Sequence, residues 1–283
     1  MQLVKFLGPD SEQPAVGLIS GDSVRPLRGS RRIATVLHAA DPAAEVDRRL
    51  APESEALPIA SLRLLPPIDD HEIWAAGVTY IRSKVAREEE SEQGGSFYDL
   101  VYSADRPELF FKATADRAVG HRAPIRVRSD TKWSVPEPEL ALVLDDTLRL
   151  VGLSIGNDVS ARDIEGRNPL YLPQAKVYAG SCSLGPCVTL FSSLSNPSDL
   201  SITLDIHRDG SSVFSGATST SQLARSFDDL IHWLGLDQAF PDGVVLLTGT
   251  GIVPPDEFTL HPGDVVRITI EGLGTLENTV AGR

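Results

Sequence analysis

The sequence has little sulfur and no long apolar run. Two cysteines, Cys182 and Cys187, and one methionine occur in 283 residues. Two thiols cannot build a disulfide framework or a thiolate metal site, so we expect both to be reduced and buried. No stretch of 18 apolar residues is present, which argues against a membrane-spanning helix, and the sequence begins without a signal-peptide pattern. The sequence therefore predicts a cytoplasmic protein that does not bind membranes.

Basic residues are scarce relative to acidic ones. The chain carries 26 lysines and arginines against 39 aspartates and glutamates, a formal net charge of −13. Nucleic-acid binding requires a basic surface, so no nucleic-acid partner is expected. The same charge repels an anionic small molecule unless the binding site concentrates cations locally.

Short apolar runs separated by turn residues predict a β-rich α+β fold. Hydrophobic residues make up 41% of the chain, enough for a large core. We predict a small β-rich N-terminal domain in residues 1–66 and, after the Pro66–Pro67 pair, a catalytic metal-binding domain in residues 67–283. The predicted strands have the sequences MQLVKF, AVGLIS, SVRPL, IWAAGVTY, ELFFKAT, IRVRS, LALVL, LVGLSIGND, VVLLTGTG, DVVRITI and TLENTV.

Few segments have the spacing of a helix. Short helical stretches are predicted at Ala34–Ala40 and Ala43–Leu50, and the clearest helix at Ser221–Leu236, where apolar residues recur every three to four positions. The charged segment Arg82–Gly95 ends in two glycines. It is either a solvated surface helix or a lid over a binding site.

Three carboxylates form the most informative pattern. Glu137 and Glu139 are two residues apart in a predicted strand, so their side chains share one face, while the alternate leucines of Leu140–Leu144 face a core. Two carboxylates this close repel each other unless a cation lies between them. Asp158 ends another apolar run, where ligands are often presented. Three acids without histidine or cysteine favour Mg²⁺, Mn²⁺ or Ca²⁺.

Four motifs follow one another along the chain: Glu137-x-Glu139, GNDVSARD at 156–163, Ala175-Lys176 and LTGT at 247–250. They occur in the order found in the fumarylacetoacetate hydrolase family, which the chain resembles over roughly residues 70–283. The resemblance implies a mixed β-roll catalytic domain. It also implies one Mg²⁺ or Mn²⁺ per chain held by Glu137, Glu139 and Asp158, an active-site Lys176, and a homodimer or homotetramer.

The dehydratase branch of this family matches better than the hydrolases. Family hydrolases carry a water-activating histidine on the lid, but Ser83 stands at that position and no histidine lies between His71 and His121. The segments PELFFKAT, VPEPELALVL and SARDIEGRNPLYLPQAKVYAGSCSLGP are similar to 2-keto-3-deoxy-pentonate dehydratases, as is the long insert Ile164–Gln174. The resemblance assigns acid–base work to Glu108 together with Lys176.

The implied reaction removes a C3 proton and the 4-hydroxyl group of a 2-keto-3-deoxy sugar acid, a pentonate, and gives 2-ketoglutarate semialdehyde. A cation that binds the 2-keto oxygen would stabilise the enolate. Lys176 and Glu108 would serve as base and acid in either order, Glu108 beside apolar Leu109–Phe111. The alternatives are a hydrolase of acylpyruvate or fumarylacetoacetate type, a 2-keto-acid decarboxylase, and a non-catalytic binding protein.

Further polar residues are expected around a small-molecule 2-keto acid. Thr250 would bind the substrate carboxylate or satisfy its own turn. Two cations would offset the overall charge or pair with structural acids, and three residues would line the distal pocket. These residues are Arg162 and Lys112 for the charge and Thr79, Tyr80 and Arg82 for the pocket.

Overall fold

The computed structural model describes residues 1–50, 55–81 and 104–282. The strands are β1 Gln2–Leu7, β2 Ala15–Ser20, β3 Ser23–Pro26, β4 Leu57–Pro58, β5 Arg63–Leu65, β6 Glu72–Gly77, β7 Glu108–Ala113, β8 Ala118–Val119, β9 Ser134–Val135, β10 Pro138–Leu144, β11 Leu150–Asp158, β12 Ser160–Ala161, β13 Cys182–Leu190, β14 Ser201–Arg208, β15 Ser211–Ser219, β16 Val244–Leu247, β17 Val265–Ile270 and β18 Gly274–Thr279. The helices are α1 Ala34–Leu37, α2 Pro42–Arg49, α3 Arg162–Arg167, α4 Leu172–Lys176 and α5 Phe227–Gly235. Short 3₁₀ turns occupy Ile59–Ser61, Pro169–Tyr171, Phe191–Ser193 and Thr220–Gln222.

One large mixed sheet organises the described residues. It has twelve strands in the order β4-β3-β2-β1-β13-β11-β10-β16-β6-β7, with β5 on β1 and β8 on β13. Strands β16 and β6 run parallel, as do β13 and β8, and the other pairs are antiparallel. A four-stranded antiparallel sheet, β15-β14-β17-β18, and the pair β12-β9 complete the fold. The predicted β-rich α+β class is confirmed.

The N-terminal strands join the same sheet as the catalytic strands. Strand β1 pairs with β13 through Leu3 and Val188, so the sheet is continuous across the predicted boundary. The division into residues 1–66 and 67–283 stays a prediction.

Strand β10 is buried on both faces. Its three leucines belong to a core that also contains Leu204 and Ile268 from the smaller sheet. Ala141 and Val143, on the other face, belong to a second core shared with the N-terminal strands. The face that continues from Glu139 is therefore enclosed, and any site at the beginning of β10 lies deep in the protein.

Two predicted elements end earlier or begin later than expected. The helix predicted at Ser221–Leu236 begins at Phe227, because the hydroxyl of Ser226 accepts a hydrogen bond from the Asp229 N–H and caps it. The strand predicted through Tyr80 ends at Gly77, because Val78 has a φ of 53°, which a strand does not allow. None of the helices that the structure describes is long and apolar enough to cross a bilayer.

The predicted strand IRVRS is wrong. Ile125 makes one isolated bridge with Val280, and the following residues form no ladder. The Arg126 N–H donates instead to the Gly180 carbonyl, so the segment follows the neighbouring loop rather than a strand.

His71 gives the fold a predictable response to acid. Burial lowers its pKa to about 4, and its Nδ1 accepts a hydrogen bond from the Asp69 N–H at 3.2 Å. The unfolded chain takes up a proton near the ordinary value of 6.5. Stability contributed by His71 is therefore complete above pH 6.5 and is lost as the pH falls towards 4, by about 3 kcal/mol in total.

We expect His71→Asn to flatten this part of the pH dependence, because an asparagine oxygen still accepts from Asp69 but takes up no proton. Denaturant unfolding from pH 7 to pH 4 measures the difference. The exposed His232→Asn provides the control. Equal loss of stability on acidification in wild type and His71→Asn would contradict the assignment.

Candidate active site

The three predicted acids meet where β10 and β11 pair. Pro138 is opposite Asn157 and Glu139 is opposite Gly156, which places Glu137 beside Asp158. The Asp158 N–H donates to the Glu137 carbonyl at 3.0 Å. One carboxylate oxygen from each acid lies within 4.8 Å of the others, and all three residues are buried.

This acidic group fits a divalent cation. Burial, together with the negative charges of Asp158 and Glu137, raises the pKa of Glu139 well above its ordinary value. A cation between the oxygens would remove this repulsion. Three carboxylates form a hard oxygen donor set, which Mg²⁺ and Mn²⁺ prefer, and leave positions for water and substrate. Glu137, Glu139 and Asp158 could therefore hold one such ion.

Gly249 shapes the edge of this group. Its N–H donates to a Glu139 carboxylate oxygen at 2.5 Å. Its φ of 87° is in the left-handed region, and an added Cβ would overlap the hydroxyl of Thr79. That hydroxyl donates to the Thr248 carbonyl at 2.6 Å, so Thr79 supports the turn that orients Glu139.

Lys176, the last residue of α4, is fully buried against the acids. Its Nζ donates to Glu137 Oε2 at 2.7 Å, to Asp158 Oδ2 at 3.0 Å and to Ser160 Oγ at 2.6 Å. An ammonium group has three donors, and three acceptors lie within hydrogen-bond distance of Nζ. The Lys176 side chain is therefore held among the acids by hydrogen bonds.

Two further buried cations pair with the acids. Lys112 Nζ lies 2.5 Å from Asp158 Oδ1 and donates to the Lys176 carbonyl at 2.6 Å. Arg162 Nη2 lies 2.8 Å from Glu137 Oε1. Both thus offset negative charge by contacting predicted metal ligands. Their direct contact with substrate stays a prediction.

Strand β7 carries Glu108, the predicted acid–base carboxylate. Glu108 and Phe110 are two residues apart in the regular part of β7 and so share one face, and the register with β6 shifts at Lys112. Lys112 reaches Asp158, and the Phe110 ring centroid lies 5.5 Å from Lys176 Nζ. Glu108 is half-buried and lies on the same face as Phe110, two residues before it in the strand.

Gly77 leaves the space that Glu108 occupies. A Cβ added at Gly77 would overlap the Glu108 carboxylate, the flexible end of that side chain. We expect Gly77→Ala to displace the carboxylate and lower turnover roughly 10- to 100-fold, while the fold and the metal affinity change little. Steady-state kinetics and Mg²⁺ calorimetry measure both. Unchanged turnover would show that Glu108 does not act from this position.

The structure describes two of the other predicted pocket residues, Thr250 and Tyr80, but not Arg82. The Thr250 hydroxyl donates to the Ile252 carbonyl at 3.2 Å and accepts from the Ile252 N–H at 3.1 Å, so it serves its own turn in this structure. Tyr80 is buried, and its burial and the charge of Glu139 raise its pKa. Arg82 and the predicted lid Arg82–Gly95 lie outside the described residues. Substrate contacts of this group stay predictions.

Two site residues had no role predicted from the sequence. Ser160 follows Asp158 by two residues, a spacing that puts its hydroxyl on the same side as that acid and near Lys176. Glu165 follows Arg162 by one helical turn, and its carboxylate lies 3.6 Å from Arg162 Nη1 and 3.9 Å from Lys176 Nζ. The i, i+3 spacing from Arg162 could have identified Glu165.

Two curated proteins with similar sequences are dehydratases. The chain is 52% identical over 214 residues to a probable 2-keto-3-deoxyxylonate dehydratase of Haloferax volcanii. This alignment covers 76% of this chain and 73% of the relative. It is 46% identical over 231 residues to the 2-dehydro-3-deoxy-D-arabinonate dehydratase of Saccharolobus solfataricus, covering 80% and 76%.

Structure comparison agrees with these relatives. A solved 2-keto-3-deoxy-D-arabinonate dehydratase, complexed with magnesium and 2,5-dioxopentanoate, matches with a TM-score of 0.85 and 36% identity, over 100% of this chain and 99% of the other. The family model described as fumarylacetoacetate hydrolase C-terminal matches residues 73–281. The chain therefore belongs to the fumarylacetoacetate hydrolase family.

Proposed function

We propose that this protein is a magnesium-dependent dehydratase that converts a 2-keto-3-deoxy pentonate into 2,5-dioxopentanoate, the semialdehyde of 2-ketoglutarate. The observation that carries the proposal is the buried group of Glu137, Glu139 and Asp158 with Lys176 bound among them. The names of the two relatives and of the magnesium-bound structure support the same reaction.

Glu137, Glu139 and Asp158 would hold the magnesium ion. When bound, the ion supplies Lewis-acid stabilisation for the negative charge that develops on the 2-keto oxygen as C3 loses its proton. The protein's own contribution is to place an acid and a base beside C3 and C4 and to keep the acidic group charged and enclosed.

The contacts favour Glu108 as the base and Lys176 as the acid. Lys176 has three acceptors around its ammonium group, which supports a proton donor at rest. Glu108 is half-buried on the face of β7 that also carries Phe110, whose ring lies 5.5 Å from Lys176 Nζ. A carboxylate there can accept the C3 proton, and Lys176 can protonate the departing 4-hydroxyl group.

The atoms balance as the loss of one water. The C3 proton goes to Glu108, the C3–H electrons form the C3=C4 bond, and the 4-hydroxyl leaves with the Lys176 proton. Glu108 then gives its proton to C3 while the neutral Lys176 takes one from C5, which leaves an enol at C4 and C5 and returns both side chains to their starting forms. The enol takes up a proton at C4 and loses its hydroxyl proton, which gives the terminal aldehyde.

A coupled assay tests the proposal. Purified protein with Mg²⁺ receives 2-keto-3-deoxy pentonates of different stereochemistry, a 2-keto-3-deoxy hexonate and an acylpyruvate, and a semialdehyde dehydrogenase reports product as NADH. We expect NADH formation with a pentonate. Rapid cleavage of the acylpyruvate with no turnover of any deoxy acid would favour a hydrolase instead, and release of CO₂ would favour a decarboxylase.

We also propose a homo-oligomer, a homodimer or homotetramer. Strand β15 supports this, because it is an edge of the smaller sheet in the described structure and carries no charged side chain over nine residues. Light scattering after gel filtration measures the assembly. A monomer at micromolar concentration would contradict it.

We place the protein in the cytoplasm. Cys182 and Cys187 are free and buried, and burial raises the pKa of each thiol to about 12, which keeps both protonated. Reduced thiols are typical of that compartment. Cell fractionation measures the location, and recovery with a secreted fraction would contradict it.

A further inference from the structure

The hydroxyl group of Ser160 links two residues of the site. It donates its proton to the Asp158 carbonyl at 3.0 Å and accepts a hydrogen bond from Lys176 Nζ at 2.6 Å. A serine hydroxyl has one donor position, so the bond to the carbonyl leaves its lone pairs to face the lysine. Ser160 is fully buried, so bulk water does not compete for these bonds. Ser160 therefore presents an oriented acceptor to Lys176.

The backbone around Ser160 is anchored on a strand. Ser160 is in β12, where it is opposite Val135 of β9. Two residues later, the Arg162 N–H donates to the Trp133 carbonyl at 2.8 Å. Lys176, by contrast, is the last residue of α4, and its side chain is a flexible four-carbon stem. An oxygen on a fixed strand thus contacts the end of a flexible side chain.

Two other contacts of Lys176 are with carboxylates. Its Nζ lies 2.7 Å from Glu137 Oε2 and 3.0 Å from Asp158 Oδ2. Both carboxylates belong to the acidic group that could hold the metal, so a bound cation shares their negative charge with the ammonium group. The Ser160 hydroxyl is neutral and is not part of that group. We therefore expect its contact with Lys176 to persist when the cation binds.

We propose that Ser160 is a positioning residue for Lys176, an inference that rests on the proposed function. Its hydroxyl fixes the ammonium group that protonates the departing 4-hydroxyl group. Ser160 itself transfers no proton to the substrate, because its own proton is bound to the Asp158 carbonyl. Its effect on the reaction passes through Lys176.

A purely structural role for Ser160 would have a different signature. The same hydroxyl supports the backbone of Asp158, a predicted metal ligand. If that support were its only role, its loss would weaken Mg²⁺ binding and slow every metal-dependent step, including the exchange of pyruvate C3 protons by Glu108. Loss of Lys176 positioning slows only the step that needs the acid.

Ser160→Ala removes the hydroxyl group. We expect it to lower kcat for a 2-keto-3-deoxy pentonate about 10- to 100-fold, because a hydrogen bond to a charged group is lost. Three quantities should each change by less than about threefold, since none of them needs the acid: KM, the Mg²⁺ affinity measured by calorimetry, and the rate of pyruvate exchange in ²H₂O measured by proton NMR.

Two further variants control for packing. Ser160→Cys keeps the approximate size of the side chain but offers only a weak acceptor, so its kcat should fall as far as that of Ser160→Ala. Ser154→Ala is the matched control, because Ser154 is also fully buried and its hydroxyl donates to the Cys187 carbonyl at 2.7 Å. It should leave kcat within about threefold of the wild type.

A double-mutant cycle tests whether the effect passes through Lys176. In the Lys176→Met background, Ser160→Ala should change turnover by less than about threefold, because no ammonium group remains to be positioned. Full additivity of the two losses would overturn the inference. So would weaker Mg²⁺ binding or slower pyruvate exchange in Ser160→Ala, or a wild-type kcat in Ser160→Cys.

The outcomes also separate this inference from the proposed function. If the wild-type protein binds no Mg²⁺ or dehydrates no deoxy acid, the proposed function fails. If the wild-type protein binds Mg²⁺ and turns over a pentonate, but Ser160→Ala turns it over equally fast, only the role of Ser160 fails.

Discussion

Replacement of Lys176 by methionine is expected to lower turnover about 10²- to 10⁴-fold, and replacement of Glu108 by glutamine to have an effect of the same size. Each variant keeps the shape of the side chain and removes one proton-transfer group. Lys176 Nζ lies within 3.0 Å of two predicted metal ligands, Glu137 and Asp158. The methionine variant lacks this positive charge, which competes with Mg²⁺ for the same carboxylates, so Mg²⁺ binding should survive. Steady-state kinetics with a 2-keto-3-deoxy pentonate measures turnover, and the exposed Lys132→Met is the matched control.

Solvent exchange separates the two roles. Pyruvate has acidic C3 protons but no 4-hydroxyl group, so its exchange in ²H₂O needs the base and not the acid. We expect Glu108→Gln to abolish the enzyme-catalysed exchange and Lys176→Met to retain it, as measured by proton NMR. The opposite result would reverse the assignment, with Lys176 as base.

Replacement of Glu139 by glutamine is expected to weaken Mg²⁺ binding at least about 100-fold, since even groups that only orient a metal ligand contribute 10- to 100-fold. The amide still accepts the hydrogen bond that the Gly249 N–H makes at 2.5 Å, so the turn should persist. Burial and the charges of the neighbouring acids make an ionised carboxylate at position 139 unfavourable, and the glutamine variant lacks that carboxylate. The metal-free variant should therefore melt at a higher temperature than the metal-free wild type.

Thermal unfolding with and without Mg²⁺ measures this second effect. A ligand that binds the folded state raises the melting temperature, so the wild type should respond to Mg²⁺ and Glu139→Gln should not. The exposed Glu72→Gln controls for the loss of one carboxylate. A Glu139→Gln protein that binds Mg²⁺ as tightly as the wild type would place the ion elsewhere.

The strands and the acids of the site could be predicted because both depend on local spacing. The i, i+2 spacing of Glu137 and Glu139 fixes their shared face, and the apolar run that ends at Asp158 forms β11. The predicted face of alternate leucines is confirmed as core. Lys176 was identified by its family motif, since no local pattern connects α4 to β10.

Elements that depend on a single backbone conformation or on docking between distant segments were harder to predict. Val78 ends β6 through its φ of 53°, which its amino-acid type does not suggest. The start of α5 depends on the Ser226 cap and not on apolar spacing, which continues back to Leu223. Glu165 reaches Lys176 only because α3 packs beside α4.

The charge of the chain gains a local explanation. A net charge of −13 would repel a keto acid. Lys112, Arg162 and Lys176 are nevertheless all buried around the predicted metal ligands. The sequence indicated that cations must be concentrated in the site, and the structure places these three there. Their positions depend on how β7, α3 and α4 pack around the acids, which the sequence alone does not give.

The fate of the carbon chain tests the central claim most directly. Uniformly ¹³C-labelled 2-keto-3-deoxy pentonate, incubated with the protein and Mg²⁺, is followed by ¹³C NMR. Dehydration predicts that all five carbons remain joined in 2,5-dioxopentanoate, with a new aldehyde carbon coupled to its neighbour. Appearance of labelled pyruvate with a two-carbon fragment, or an unchanged substrate under conditions in which acylpyruvates are cleaved, would contradict it.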